Sequence, residues 1–168
     1  MKKLKIGVIS DTHDHIENAK KAVKIFNERE VAYVFHAGDF IAPFIISKAL
    51  SELKCKLIGV FGNNDGERLG LKEMFTKIGG IIKGIQFSIQ INDKKIALFH
   101  SIVTEIQDSI INSNKFDIVI YGHTHESLIK KINKTLVINP GESCGYLTGK
   151  STVGIIDLDK MKAELIEL

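Results

Sequence analysis

The first sixty residues of this 168-residue chain alternate strand-like apolar runs with helical periods, and that alternation restricts the possible folds more than any other feature. Residues 4–9 form an apolar run that closes on Ser10-Asp11, after which Ile16, Ala19, Val23 and Phe26 recur at helical spacing between Lys and Glu. Residues 31–35 form a second strand ahead of Gly38-Asp39. Pro43 suits the first turn of the next helix, in which Phe44, Ile45, Ala49 and Leu53 mark a stripe expected to be buried. Residues 56–61 are a third strand, ending at Gly62-Asn63. Strands separated by single helices join through right-handed crossovers into a parallel sheet.

The rhythm changes in the second half. Phe87-Ser88-Ile89-Gln90-Ile91 alternates apolar and polar residues, Asn92-Asp93 supplies a turn, and residues 95–99 return to His100, which predicts a hairpin. A helix is expected over 104–112 and a strand over 118–121, ending at Gly122-His123. Short strands follow at 135–138, 152–157 and 162–166, with Asp157-Leu158-Asp159-Lys160 turning the last pair. With no repeat, linker or low-complexity segment, the expectation is one α/β domain over 1–168: two facing mixed sheets with helices on their outer faces.

Composition sets outer limits. Hydrophobic residues make up 44% and charged residues 26%, as in a soluble globular chain, and the net charge of +3 comes without a Lys/Arg block that would mark specific nucleic-acid binding. The start Met1-Lys2-Lys3 and the apolar run after it resemble a signal peptide, but Asp11 and His13 fall where small residues would be needed. No stretch approaches the length of a membrane helix. Cys55 and Cys144 form no CxxC pair and are expected as free thiols in a cytoplasmic protein.

Each apolar run delivers a polar cluster: Asp11-Thr12-His13, Gly38-Asp39, Gly62-Asn63-Asn64-Asp65, His100, and Gly122-His123-Thr124-His125. In open α/β sheets ligands bind beyond the carboxyl ends of the strands, where all five clusters would lie. A single such histidine would read as a packed or capping residue, and Asp11 alone as a helix cap. Carboxylate, amide and imidazole groups arriving together supply the mixed N/O ligands that divalent metals take. Gly38, Gly62 and Gly122 each precede a candidate ligand, where the chain must turn sharply.

These residues, in this order and spacing from Ile6 to Gly141, resemble the calcineurin-like metallophosphoesterases. The short length, Gly62-Asn63-x-Asp65 and Asn139-Pro140-Gly141-Glu142 are similar to the small single-domain phosphodiesterases of bacteria and archaea. The resemblance implies a four-layer α/β/β/α sandwich and two metal sites. Asp11, His13, Asp39 and His125 would hold one ion, and Asp39, Asn63, His100 and His123 the other, with Asp39 bridging. Two such cations lower the pKa of a bridging water and stabilise the charge of in-line displacement, so hydroxide attacks a phosphodiester at neutral pH. Mn²⁺, Ni²⁺, Fe and Zn²⁺ all suit this ligand set.

Two positions depart from the family pattern. Many relatives carry His after the Gly-Asn pair, able to protonate the leaving group; Asn64 can contact a substrate phosphate but cannot act as an acid. Relatives often have Gly after the His at position 100, where this chain has Ser101. His36 reads as either a hydrogen-bond partner of a ligand carboxylate or a core histidine, and His15 as a solvated helix-start residue. Gly149-Lys150-Ser151 lacks the Gly that a P-loop needs at Cys144.

The expected activity is therefore a metal-dependent phosphodiesterase acting on a small phosphodiester or nucleotide-like substrate, with a homodimer compatible with exposed sheet edges. The alternatives are a phosphomonoesterase or nucleotide pyrophosphatase of the same fold, and a non-catalytic scaffold. A scaffold has no need of four imidazoles.

Overall fold

The computed structural model describes residues 4–168, so the charged start Met1-Lys2-Lys3 lies outside the described residues. The first half runs β1 (Lys5–Ile9), α1 (Ile16–Glu28), β2 (Tyr33–His36), α2 (Phe44–Lys48), a single 3-10 turn (Leu50–Glu52), β3 (Lys56–Gly59), α3 (Arg68–Lys77) and β4 (Ile81–Ile82). The second half runs β5 (Gln86–Ile91), β6 (Lys94–Phe99), α4 (Thr104–Asn112), β7 (Ile118–Ile120), β8 (Ser127–Ile132), β9 (Thr135–Pro140), β10 (Thr152–Asp157) and β11 (Lys162–Glu167).

Two mixed sheets face each other. The first has the order β11-β10-β1-β2-β3-β4, with β1 to β4 parallel, β10 antiparallel to β1, and β11 antiparallel to β10. The second has the order β5-β6-β7-β9-β8, parallel through β6, β7 and β9 and closed by an antiparallel strand on each side. Ile6, Val8, Phe35 and Ile58 of the first sheet meet Ile96, Leu98, Ile118, Ile120 and Ile138 of the second in a shared core. On the far side of the first sheet, Ile9, Val34 and Leu57 pack under α1, α2 and α3 through Phe26, Ile45 and Phe75. Ile111 of α4 covers Phe99, Val119 and Val137 of the second sheet. The result is the α/β/β/α sandwich, and burial on both faces explains why the central strands read as continuous apolar runs.

Three elements carry no clear period in the sequence. Helix α3 has Gly70 inside it and only Leu71 and Phe75 buried, β4 is two residues long, and β8 is an edge strand with no buried position. The helix expected after Pro43 is also broken. Ala49 leaves helical geometry at φ −141°, ψ −63°, splitting α2 from the 3-10 turn. Its buried face is Ile45, Ile46, Ala49 and Leu50, whereas Phe44, expected in the stripe, is exposed.

Candidate metal centre

All seven candidate ligands emerge at the carboxyl ends of strands and meet where the two sheets face each other. Asp11 and His13 follow β1, Asp39 follows β2 and Asn63 follows β3, all from the first sheet. His100 follows β6, and His123 and His125 follow β7, from the second.

One group forms around Asp11, which is fully buried. Its Oδ2 accepts the Ser10 hydroxyl at 2.6 Å and the His123 backbone N–H at 3.1 Å. Its Oδ1 lies 3.3 Å from His125 Nε2 and 3.8 Å from His13 Nε2, and has no hydrogen-bond partner among the described residues. His13 Nε2 is buried and equally unpartnered among them, 3.4 Å from Asp39 Oδ2. Buried polar atoms are almost always satisfied, so a carboxylate oxygen and an imidazole nitrogen left over at one point fit a cation. Asp11, His13 and His125 offer three donor atoms close enough together to share one ion.

A second group adjoins it through Asp39. The same Oδ2 that approaches His13 lies 3.4 Å from His100 Nε2. Asn63 Oδ1 in turn sits 2.9 Å from both His100 Nε2 and His123 Nδ1. The far nitrogen of His100 is held 2.8 Å from the Ala37 carbonyl, which fixes the ring. Asp39 thus stands between the two groups, with one oxygen shared between them. Asn64 donates its backbone N–H to Asp39 Oδ1 at 2.9 Å and its side-chain amide to Oδ2 at 2.7 Å, so it is placed on the carboxylate. Ser101 is exposed and leaves His100 in place.

The charges are tuned by this crowding. Burial pushes the Asp39 and Asp11 carboxyls up, but their polar neighbours outweigh it: His100 and Asn64 at Asp39, and the facing His13 imidazole and the Ser10 hydroxyl at Asp11. Both end below the usual carboxylate range. The Asp11 carboxylate raises the pKa of His13. For His100, burial works downward, but Asp39 prevails and its pKa rises as well.

The backbone is strained where the candidate ligands sit. Asp11, His13, Asp39, His123 and His125 have φ of 51°, 39°, 59°, 73° and 61°, in the left-handed region that ordinary residues avoid. Each such residue costs on the order of 1 kcal/mol, and strain of this kind concentrates at functional sites. Side chains beyond the ligands hold it in place. Asp65 accepts the backbone N–H groups of Asp39, Phe40, Ile41 and Gly62 at 2.7–3.1 Å. Arg68 grips the same turn through the carbonyls of Asp65 and Gly62. Gly62 and Gly122 answer to close approach: a Cβ on the first would overlap the Asp39 carboxylate, and on the second the Ser10 hydroxyl.

His36 is a core histidine with a structural task. It is fully buried and stacked on Phe40, and burial pushes its pKa down to about 3. Its Nδ1 accepts the Gly38 N–H at 3.1 Å, so Nε2 carries the proton toward Thr12 Oγ1 at 3.2 Å, which donates to the Asp39 carbonyl. His36 therefore links the turns after β1 and β2 rather than touching a ligand carboxylate. His15 differs from the solvated residue expected: its Nδ1 caps α1 by accepting the Asn18 N–H, and its ring lies 5.6 Å from Tyr146. It takes the cap that Asp11 could have provided.

Two residues of the site carried little sequence signal. Glu142 is fully buried and lies 2.7 Å from His125 Nδ1. Burial would raise its pKa, but hydrogen bonds from Thr148 and His125 bring it down to about 2. Asn18, on the buried face of α1, anchors the loop after Glu142. The sequence hint for Glu142 was its place in the Asn139-Pro140-Gly141-Glu142 stretch that resembles the small phosphodiesterases.

Residues 4–161 match the calcineurin-like phosphoesterase superfamily domain. The chain is 45% identical to a phosphodiesterase of Methanocaldococcus jannaschii, over 98% of this chain and 99% of the relative. A solved archaeal phosphodiesterase superposes with a TM-score of 0.93 at 44% identity, covering 98% of this chain and all of the other. A phosphoesterase from E. coli shares the fold alone, with a TM-score of 0.70 at 18% identity over 97% of this chain and 98% of its own.

Proposed function

The chain belongs to the calcineurin-like phosphoesterase superfamily, and from that premise we propose that it hydrolyses phosphodiesters at a two-metal centre held by Asp11, His13, Asp39, Asn63, His100, His123 and His125. Phosphoester hydrolysis with divalent metals is the chemistry of the family, and the groups present suit it. The observation that carries the two-metal reading is the single Asp39 oxygen lying 3.4 Å from both His13 Nε2 and His100 Nε2. One carboxylate oxygen with an imidazole on each side is placed to screen two cations from each other. Divalent ions bound there supply Lewis-acid charge to a phosphate group and lower the pKa of a coordinated water.

The chain's own residues define the remaining tasks. Asp65, His36 and Arg68 hold the turns that carry Asp39 and Asn63, so the donors are in position before substrate arrives. Asn64, hydrogen-bonded to Asp39, is also the side chain proposed to contact the substrate phosphate, and its amide cannot protonate a leaving group. Either substrates with good leaving groups are favoured or the leaving group takes its proton from water. Small diesters or nucleotide-like molecules are the substrate class, and Mn²⁺, Ni²⁺, Fe or Zn²⁺ the ions.

The test is hydrolysis of a matched aryl phosphodiester and phosphomonoester by metal-stripped protein, with Mn²⁺, Ni²⁺, Zn²⁺ and Mg²⁺ added back singly. Metal-restored cleavage of the diester is expected. Cleavage of the monoester alone would move the substrate class to monoesters, and no turnover with any ion would leave a scaffold.

A further inference from the structure

We propose that Glu142 is a positioning residue for His125, holding the imidazole as its Nδ1–H tautomer so that the Nε2 lone pair faces Asp11; the proposal rests on the metal-centre reading above. Glu142 Oε2 lies 2.7 Å from His125 Nδ1, while His125 Nε2 lies 3.3 Å from Asp11 Oδ1, which has no hydrogen-bond partner among the described residues. An ionised carboxylate only accepts hydrogen bonds, so the proton in the Glu142–His125 contact sits on Nδ1. A neutral ring with its proton there has a lone pair only on Nε2, the atom aimed at the metal position. A carboxylate behind a ligating imidazole also makes it a stronger donor.

Glu142 can do this only as an anion, and its surroundings maintain one. Oε1 accepts the backbone N–H groups of Leu147 and Thr148 at 3.0 and 2.5 Å and the Thr148 hydroxyl at 2.7 Å. Oε2 accepts the Cys144 thiol at 3.1 Å. These donors belong to the loop between β9 and β10, which contributes none of the seven candidate ligands, although Glu142 and Cys144 lie close enough to His125 to share an ion with it. Asn18 fixes that loop from α1, donating to the Ser143 carbonyl at 3.0 Å and to Ser151 Oγ at 2.9 Å. The orientation of one ligand is thus set by a loop that the ligand motifs do not include. His100 shows the contrast, since a backbone carbonyl holds its ring and no side chain is needed.

Two measurements test this. Long-range ¹⁵N correlation on the metal-free wild-type chain, at about pH 8 where an ordinary histidine is neutral, should show His125 as the Nδ1–H tautomer. Equilibrium dialysis with Mn²⁺ should then show two sites in the wild type. In Glu142→Gln one site should keep its affinity and the other weaken by roughly 10- to 100-fold, the usual cost of losing such a partner. Gln keeps an acceptor for Nδ1–H but turns an amide toward the Leu147 and Thr148 donors, so the loop can no longer fix it.

An Nε2–H tautomer in the wild type would overturn the proposal. So would unchanged affinity at both sites in a folded Glu142→Gln protein. If that variant does not fold, the wild-type tautomer decides alone. A wild type that shows the Nδ1–H form yet binds none of Mn²⁺, Ni²⁺, Fe²⁺ and Zn²⁺ would sink the metal centre while upholding the hold of Glu142 on the ring.

Discussion

Asp65 stands 26 positions beyond Asp39, yet its Oδ2 accepts the Asp39 backbone N–H at 3.1 Å. The same carboxylate takes the N–H groups of Phe40, Ile41 and Gly62, so one side chain satisfies four donors in turns that no strand ladder reaches. Ile41 needs this support, because a β-branched residue at φ 84° is a clear outlier.

Asp65→Ala should therefore destabilise the metal-free protein by about 3 kcal/mol, the cost of stranding several buried donors. Urea unfolding measures it. An unchanged midpoint would mean that the two turns hold themselves.

Asp39→Ala should remove both metal sites and lower diester hydrolysis by at least about a thousandfold, since the shared oxygen goes with the side chain. Metal content and turnover are read on the same preparation. Substantial remaining activity would exclude the bridging role.

His123→Ala should weaken the site on the Asn63 side more than the one beside Asp11, because His123 Nδ1 faces Asn63 Oδ1. His125→Ala should show the reverse order. Equal weakening of both sites in either variant would contradict the assignment.

Asn64→His should accelerate substrates with poor leaving groups relative to good ones, by supplying a proton donor where an amide now stands. The variant also gives up the 2.7 Å bond to Asp39, so rates for the best leaving groups should fall. A leaving-group series that shifts uniformly would remove the argument from the missing acid.

His36 makes the fold sensitive to acid. Its pKa falls from 6.5 to about 3 on folding, so between those values the unfolded chain binds a proton that the folded chain refuses, and stability rises with pH. Acidification from neutrality to about pH 4.5 should cost about 3 kcal/mol through this residue. His13 and His100 act in the opposite sense: their raised values add stability that is complete below 6.5 and is lost as pH rises through the folded pKa. Unfolding of wild type and His36→Gln across that range isolates the His36 contribution, and the gap between them should shrink as pH falls. Parallel curves would show that His36 is not a neutral core group.

Periodicity made most of the sandwich legible, because strands buried on both faces, such as β1 and β7, write continuous apolar runs. Where burial is one-sided or slight, as in β8 and α3, the pattern fades. The ligand candidates were legible for a different reason: each is a metal-binding type placed where a strand stops. Invisible in the sequence were the left-handed conformations at Asp11, Asp39 and His123, which depend on hydrogen bonds from distant turns. The task of Glu142 was hidden too, since only the three-dimensional path of the loop after β9 brings its donors around it.

The oxygen donors Asp11, Asp39 and Asn63 all come from one sheet, and three of the four imidazoles from the other. Neither sheet owns a complete set, so the proposed centre would exist only as a seam. Its grip on a cation would then work as a gauge of how the two layers are seated. A trimmed side chain in the shared core, at Ile58 or Ile120 for instance, touches no ligand but would let the layers settle differently. Ion affinity would register that slip well before the molecule unravelled.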